Sequence, residues 1–178
     1  MLRQAKSRVT LAVNYSIRKL EENDWHIFSE VRLLALRTDP KVFGSTHERE
    51  AGFSEAEWRS QLTNRDTGIF AVFDENGPVG MTGVAVDRDD PSRKTALLWG
   101  SWLSPDARGK GLSRLLYEAR LSWARNQPGV EQIIVSHRES NVASKFANQR
   151  FGFHHTHTTE RKWNDGVIEK ELHYELIL

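Results

Sequence analysis

Arg108-Gly109-Lys110-Gly111-Leu112-Ser113 separates an apolar run, Ala96-Leu97-Leu98-Trp99-Gly100-Ser101-Trp102-Leu103, from a segment with helical periodicity. In that segment Leu112, Leu115, Leu116, Ala119 and Trp123 recur at the spacing of one helix face. A strand that passes through a glycine-punctuated turn into a helix leaves several backbone N–H groups unpaired at the helix start. With the positive end of the helix dipole, they form a site for phosphate oxygens. Gly109 and Gly111 lack Cβ, so a diphosphate can approach the backbone closely. Arg108 and Lys110 add positive charge at the mouth. The stretch reads as a pyrophosphate cradle; an ordinary turn ahead of a core helix is the plainer alternative.

Two familiar cradles fit badly. A nucleotide P-loop requires G-x-x-x-x-G-K-[ST], yet Gly109-Lys110 is followed by Gly111, with no hydroxyl for magnesium. The dinucleotide fingerprint G-x-G-x-x-G requires glycine where the chain has Arg114, and it belongs in a first βα unit.

Downstream, the short apolar strand Gln132-Ile133-Ile134-Val135-Ser136 leads to Asn141-Val142-Ala143-Ser144-Lys145-Phe146-Ala147-Asn148-Gln149-Arg150-Phe151-Gly152-Phe153. Together these features resemble the GNAT superfamily of acetyl-coenzyme A-dependent N-acetyltransferases. The family signature [Q/R]-x-x-G-x-[G/A] is matched by Arg108, Gly111 and Ser113, with serine as the last small residue. A second family signature, an asparagine opening a helix that ends in Gly-Phe, is matched by Asn141, Gly152 and Phe153. The two occur in the family's order and at its separation.

The rest of the chain is compatible with this. Its 178 residues are 38% hydrophobic and 28% charged, with a formal net charge of +1. That is the profile of a soluble globular protein, and the basic excess is too small to argue for nucleic acid. Met1 to Arg8 is basic but is followed only by Leu11-Ala12-Val13, too short for a signal peptide, so residues 1–14 read as an N-terminal extension and 15–178 as one domain. No stretch is long enough for a membrane span. Cysteine is absent, which fits a reducing cytoplasm and removes a cysteine thioester intermediate and a Cys-based zinc site. His154, His155 and His157 alternate across a strand without a carboxylate at ligand spacing, so no metal is expected.

A first strand is expected near Tyr15–Lys19, then a helix from Asn23 or Asp24 with Ile27, Val31 and Leu34 on one face, ending before Pro40. Ser54-Glu55-Ala56-Glu57 is a capping box opening a second helix with Trp58 and Leu62. Residues 68–73 and 79–86 form a hairpin around Asn76-Gly77, and 156–163 and 167–178 pair around Asn164-Asp165-Gly166. The resemblance implies the order βααβββαβαββ over nearly the whole chain from residue 15. It implies an α/β (α+β) fold: a mixed, centrally splayed sheet of about six to seven strands with helices on both faces.

The resemblance also implies that acetyl-CoA lies with its pyrophosphate on residues 108–113 and its pantetheine along Ser101, Trp102 and Leu103. A backbone N–H near Leu103 would polarise the thioester carbonyl. Asn141, with Ser144 one turn on, would contact the pantetheine, and Asn141 can cap its helix at the same time. The acid–base positions depart from the family. The tyrosine expected seven residues after the asparagine is Asn148, and the glutamate of some relatives, five residues before it, is Ser136. A lysine-type amine costs roughly 4–5 kcal/mol to deprotonate at pH 7, an α-amine only about 1.4. A base must therefore come from elsewhere, or the acceptor must be weakly basic. Glu48, with Glu50 and His47, is the candidate because that segment borders the acceptor site in this fold; His137 should face away if Ser136 faces the site. Without cysteine, transfer should be direct, to a primary amine of a small molecule or peptide. Trp99 and Trp102 suggest an aromatic acceptor pocket, and a homodimer through the last hairpin is compatible with the fold. A domain that binds acyl-CoA without catalysis is the competing class.

Overall fold

The computed structural model describes residues 14–178; the stretch expected as an N-terminal extension lies outside these residues apart from Asn14. Seven strands form one sheet in the order β1-β2-β3-β4-β5-β7-β6. They are β1 (Ser16–Lys19), β2 (Thr67–Asp74), β3 (Gly77–Val86), β4 (Thr95–Leu103), β5 (Gln132–Arg138), β6 (His154–Lys162) and β7 (Ile168–Ile177). The helices are α1 (Trp25–Thr38), α2 (His47–Ala51), α3 (Glu55–Thr63), α4 (Ser113–Arg125) and α5 (Val142–Arg150). Only α2 was not anticipated. Its five residues carry no apolar periodicity, and Thr46 caps it by accepting from the Arg49 amide.

Local signals act as the sequence dictates. Ser54 accepts from the Glu57 amide while the Glu57 carboxylate takes the Ser54 amide, the reciprocal capping box. Asp74 Oδ1 accepts from the amides of Asn76 and Gly77 and closes the β2–β3 turn. Two helix faces differ from expectation. On α1, Leu34 is exposed and the buried set is Phe28, Val31, Arg32, Ala35 and Leu36. On α4 the buried set is Leu116, Tyr117, Arg120, Leu121 and Ala124, with Leu115, Ala119 and Trp123 only half-buried. The stripe is turned by one residue, because a buried arginine and tyrosine register as polar in any hydropathy pattern.

Alternation along β2 divides the core. Ile69 and Ala71 pack with α1 and α3, whereas Phe70 and Val72 pack towards α4. The helices thus cover both faces. On β4 the alternation breaks. Gly83 pairs with Trp99 and Met81 with Trp102, so Thr82 of β3 opposes two residues of β4, Gly100 and Ser101. The extra residue is taken up at Gly100, whose φ of 64° suits glycine. Beyond it Ser101 faces α4 and Trp102 turns into the α1 core. Strand β4 pairs in parallel with β5 only from Thr95↔Gln132 to Leu97↔Ile134. Past that point the two strands separate, opening a cleft.

Candidate active site

The turn before α4 follows the end of β4, the strand that forms one wall of this cleft. Gly109 and Gly111 have φ of 73° and 76°, and a Cβ built on either meets nothing within 4 Å. The backbone therefore faces open space. Among the described residues, the amides of residues 109–113 have no backbone or side-chain acceptor, and Leu112 at the α4 N-cap offers no side-chain cap. Five donors at a helix start fit an anion. The flanking cations are used differently from expectation. Arg108 folds back, its Nε donating to the Leu103 carbonyl at 3.0 Å and its Nη2 to Asp39 Oδ2 at 2.5 Å. Trp102 Nε1 donates to the same Asp39 oxygen at 2.7 Å. Arg108 and Trp102 thus brace the turn from inside, and Trp102, 4% exposed, can offer a ligand only backbone. Lys110 stays exposed at the mouth, donating to Tyr15 Oη at 2.9 Å, a bond that raises its pKa.

Between β4 and β5 the cleft narrows to a cavity of about 90 Å³ lined by Ser101, Tyr117, Arg120, Ser136, His137, Asn141, Ser144 and Asn148 among others. Asn141 caps α5 through its Oδ1, which accepts from the Ser144 amide, leaving its NH2 group for a ligand. Asn148 is 1% exposed; its Oδ1 accepts from Tyr117 Oη at 2.5 Å while its Nδ2 has no partner. Burial keeps the Tyr117 phenol above its ordinary pKa, with the nearby Arg120 charge opposing it.

Seven of those residues, Ser136, Trp99 and Phe43 among them, also line a contiguous cavity of about 280 Å³ that adds Arg32, Arg161, Trp163 and Glu171. Ser136 Oγ donates to Glu171 Oε1 at 2.6 Å, and Arg161 Nη1 donates to the same oxygen at 3.0 Å. The other carboxylate oxygen remains open. Arg138, buried, joins this wall together through Asp165, Glu169 and the Lys41 carbonyl.

The acceptor-side candidates need revision. Glu50 is buried and held by Arg32 in a two-pronged ion pair, at 2.8 and 2.7 Å. Burial would raise its pKa, but the Arg32 bonds outweigh that and hold it below the usual carboxylate range. Glu50 is a brace, not a base. Glu48 and His47 line a separate cavity of about 440 Å³ with Thr46, Lys41 and Asp165, and neither lines the cleft beside Ser136. His137 falls on the opposite face from Ser136, stacked on Tyr174, yet it still lines the cleft because the cleft passes through the sheet. Its Nδ1 donates to the Arg138 carbonyl, and burial lowers its pKa, so the ring is neutral with Nε2 as acceptor. Glu171 escaped the sequence reading because nothing local marks a β7 glutamate as special. The available signal was Ser136, a missing carboxylate awaiting a replacement. Trp99 and Trp163 line the cavity of about 280 Å³, and Trp102 does not.

A family model described as the acetyltransferase (GNAT) family matches residues 21–153. No curated protein matches the chain by sequence. Among solved structures, a GNAT-family acetyltransferase from Streptococcus pneumoniae is 18% identical with a TM-score of 0.78, covering 93% of this chain and 99% of its own. A ribosomal-protein-alanine N-acetyltransferase from Brucella melitensis is 21% identical with a TM-score of 0.76, over 92% and 99%. A spermidine N-acetyltransferase from Vibrio cholerae, solved with CoA and spermine, is 14% identical with a TM-score of 0.72, over 92% and 95%.

Proposed function

Because the chain belongs to the GNAT acetyltransferase family, we propose that it moves an acetyl group from acetyl-CoA directly to a primary amine. The observation that carries this reading is the run of free amides at residues 109–113, in the turn that follows β4, one wall of the cleft. Those amides would hold the pyrophosphate, and Ser101, Leu103, Asn141 and Ser144 would flank the pantetheine. Acetyl-CoA supplies the activated acyl group. The amine enters from the side of Trp99, Phe43 and Trp163, and its proton passes to Glu171, oriented by Ser136 and Arg161. The acceptor is a small-molecule amine or a protein N-terminus or lysine; the Brucella and Vibrio neighbours are named for one acceptor of each kind. No step requires a metal.

Glu171 also favours a transferase over a binding module, since a carboxylate stands beside the position where the family glutamate is missing. The test is calorimetric titration with acetyl-CoA, followed by thiol release with a panel of primary amines. Tight binding with thiol release is expected. Binding without release from any amine would favour the binding module, and no binding would overturn both.

A further inference from the structure

Arg120 is a cation buried without an anion among the described residues. It is 2% exposed and sits midway along α4. Its Nε donates to the Leu116 carbonyl at 3.1 Å and its Nη1 to Ser101 Oγ at 2.6 Å, while Nη2 has no partner. The guanidinium lies 4.4 Å from the centre of the Tyr117 ring. Burial pulls it down to about 10, opposed only by Tyr117, so it stays charged at neutral pH. Folded proteins pair their buried charges, because a lone ion inside loses hydration that nothing repays.

The surroundings say where the missing anion belongs. Arg120 lines the cavity at the narrow part of the cleft, and so does Asn148, whose buried Nδ2 has no partner among the described residues. The other titratable groups lining that cavity are Tyr117 and His137, both neutral at pH 7. Among the described residues, Arg120 is the single charge there. The Gly100 bulge turns Ser101 towards α4, so the hydroxyl meets Arg120 at one edge and Thr82 Oγ1 at 2.8 Å on the other. That leaves Nη2 free.

We propose that Arg120 is the electrostatic partner of the coenzyme A thiolate released on acetyl transfer, replacing the proton donor that Asn148 cannot be. The inference rests on the acetyl-CoA reading above. On transfer the amine nitrogen bonds the acetyl carbon, and the carbon–sulfur bond breaks with its electron pair on sulfur. The amine proton goes to Glu171. The sulfur leaves as an anion, stabilised by the charge of Arg120 on the cavity wall, and no acid is needed.

The test is the thiol pKa of bound coenzyme A, followed by ultraviolet thiolate absorbance, in the parent and in Arg120→Met and Arg120→Lys. A thiol pKa about 1–2 units below that of free coenzyme A is expected in the parent. Arg120→Met should restore the free value and Arg120→Lys should retain part of the shift. Arg120→Met should also melt at or above the parent temperature, since a buried unpaired charge is gone. An unshifted thiol in the parent, or the same shift in Arg120→Met, overturns the proposal. If Arg120→Met does not fold, Arg120 is a structural residue and the proposal falls, unless Arg120→Lys folds and shows the partial shift. Binding is measured by calorimetry on the same samples. Failure of the parent to bind coenzyme A overturns the acetyl-CoA reading itself, whereas binding with an unshifted thiol overturns only the role of Arg120.

Discussion

Ser136 Oγ donates to Glu171 Oε1 at 2.6 Å, joining a serine on β5 to a carboxylate on its neighbour β7. A carboxylate from the adjacent strand thus stands beside position 136, where this chain has serine in place of the glutamate of some relatives. Glu171→Gln should lower kcat/KM for a primary amine by about 10² to 10⁴, with acetyl-CoA affinity unchanged by calorimetry. Ser136→Ala, which removes only an orienting bond, should cost much less. Equal rates for Glu171→Gln and the parent would move the base elsewhere.

Gly111 holds φ of 76° in the open turn. A residue with Cβ pays roughly 1–2 kcal/mol there, although no atom lies within 4 Å of the new methyl. Gly111→Ala should therefore lower the melting temperature by a few degrees, or, if the unliganded turn relaxes to shed the strain, weaken acetyl-CoA binding about tenfold instead. Gly83→Ala is the opposite case: its Cβ would lie 2.2 Å from the Trp99 ring, so thermal melts should report a loss of about 1–3 kcal/mol.

Asp39 accepts from both Trp102 and Arg108. Removing it strands an indole donor inside and releases the brace behind the cradle. Asp39→Ala should lose about 1–3 kcal/mol in urea unfolding and bind acetyl-CoA more weakly. Full retention of affinity would show that the turn stands without the brace.

The Arg32–Glu50 pair makes stability depend on pH. Glu50 is held below its ordinary pKa, so its contribution is complete above the unfolded value and lost as pH falls through the folded one. Glu50→Gln should therefore be less stable than the parent at pH 7, by about 1–3 kcal/mol. The gap should close in acid below about pH 4. A constant gap across that range, followed by urea unfolding, would show that the charge of Glu50 contributes nothing.

Much of the fold was written in short windows. The capping box at Ser54–Glu57, the Asn141 cap, the Asn76-Gly77 turn and the glycines before α4 each act through atoms a few residues apart. Backbone sterics and helix-end hydrogen bonding operate at that range, so residue type and spacing suffice. The element order along the chain and the count of about six to seven strands came instead from the family resemblance, and the order of strands across the sheet from neither.

What tertiary structure alone decided is which side chains meet. Glu171 lies 35 residues from Ser136, and Asp39 lies 63 from Trp102. The Gly100 bulge reverses the facing of Ser101 and Trp102, and no count of alternating residues contains it. Arg120 reads as a surface charge until Ser101 and Tyr117 close around it. Chain-distant contacts depend on strand register and helix rotation, which follow from packing the whole core at once, and a local pattern carries no record of that sum.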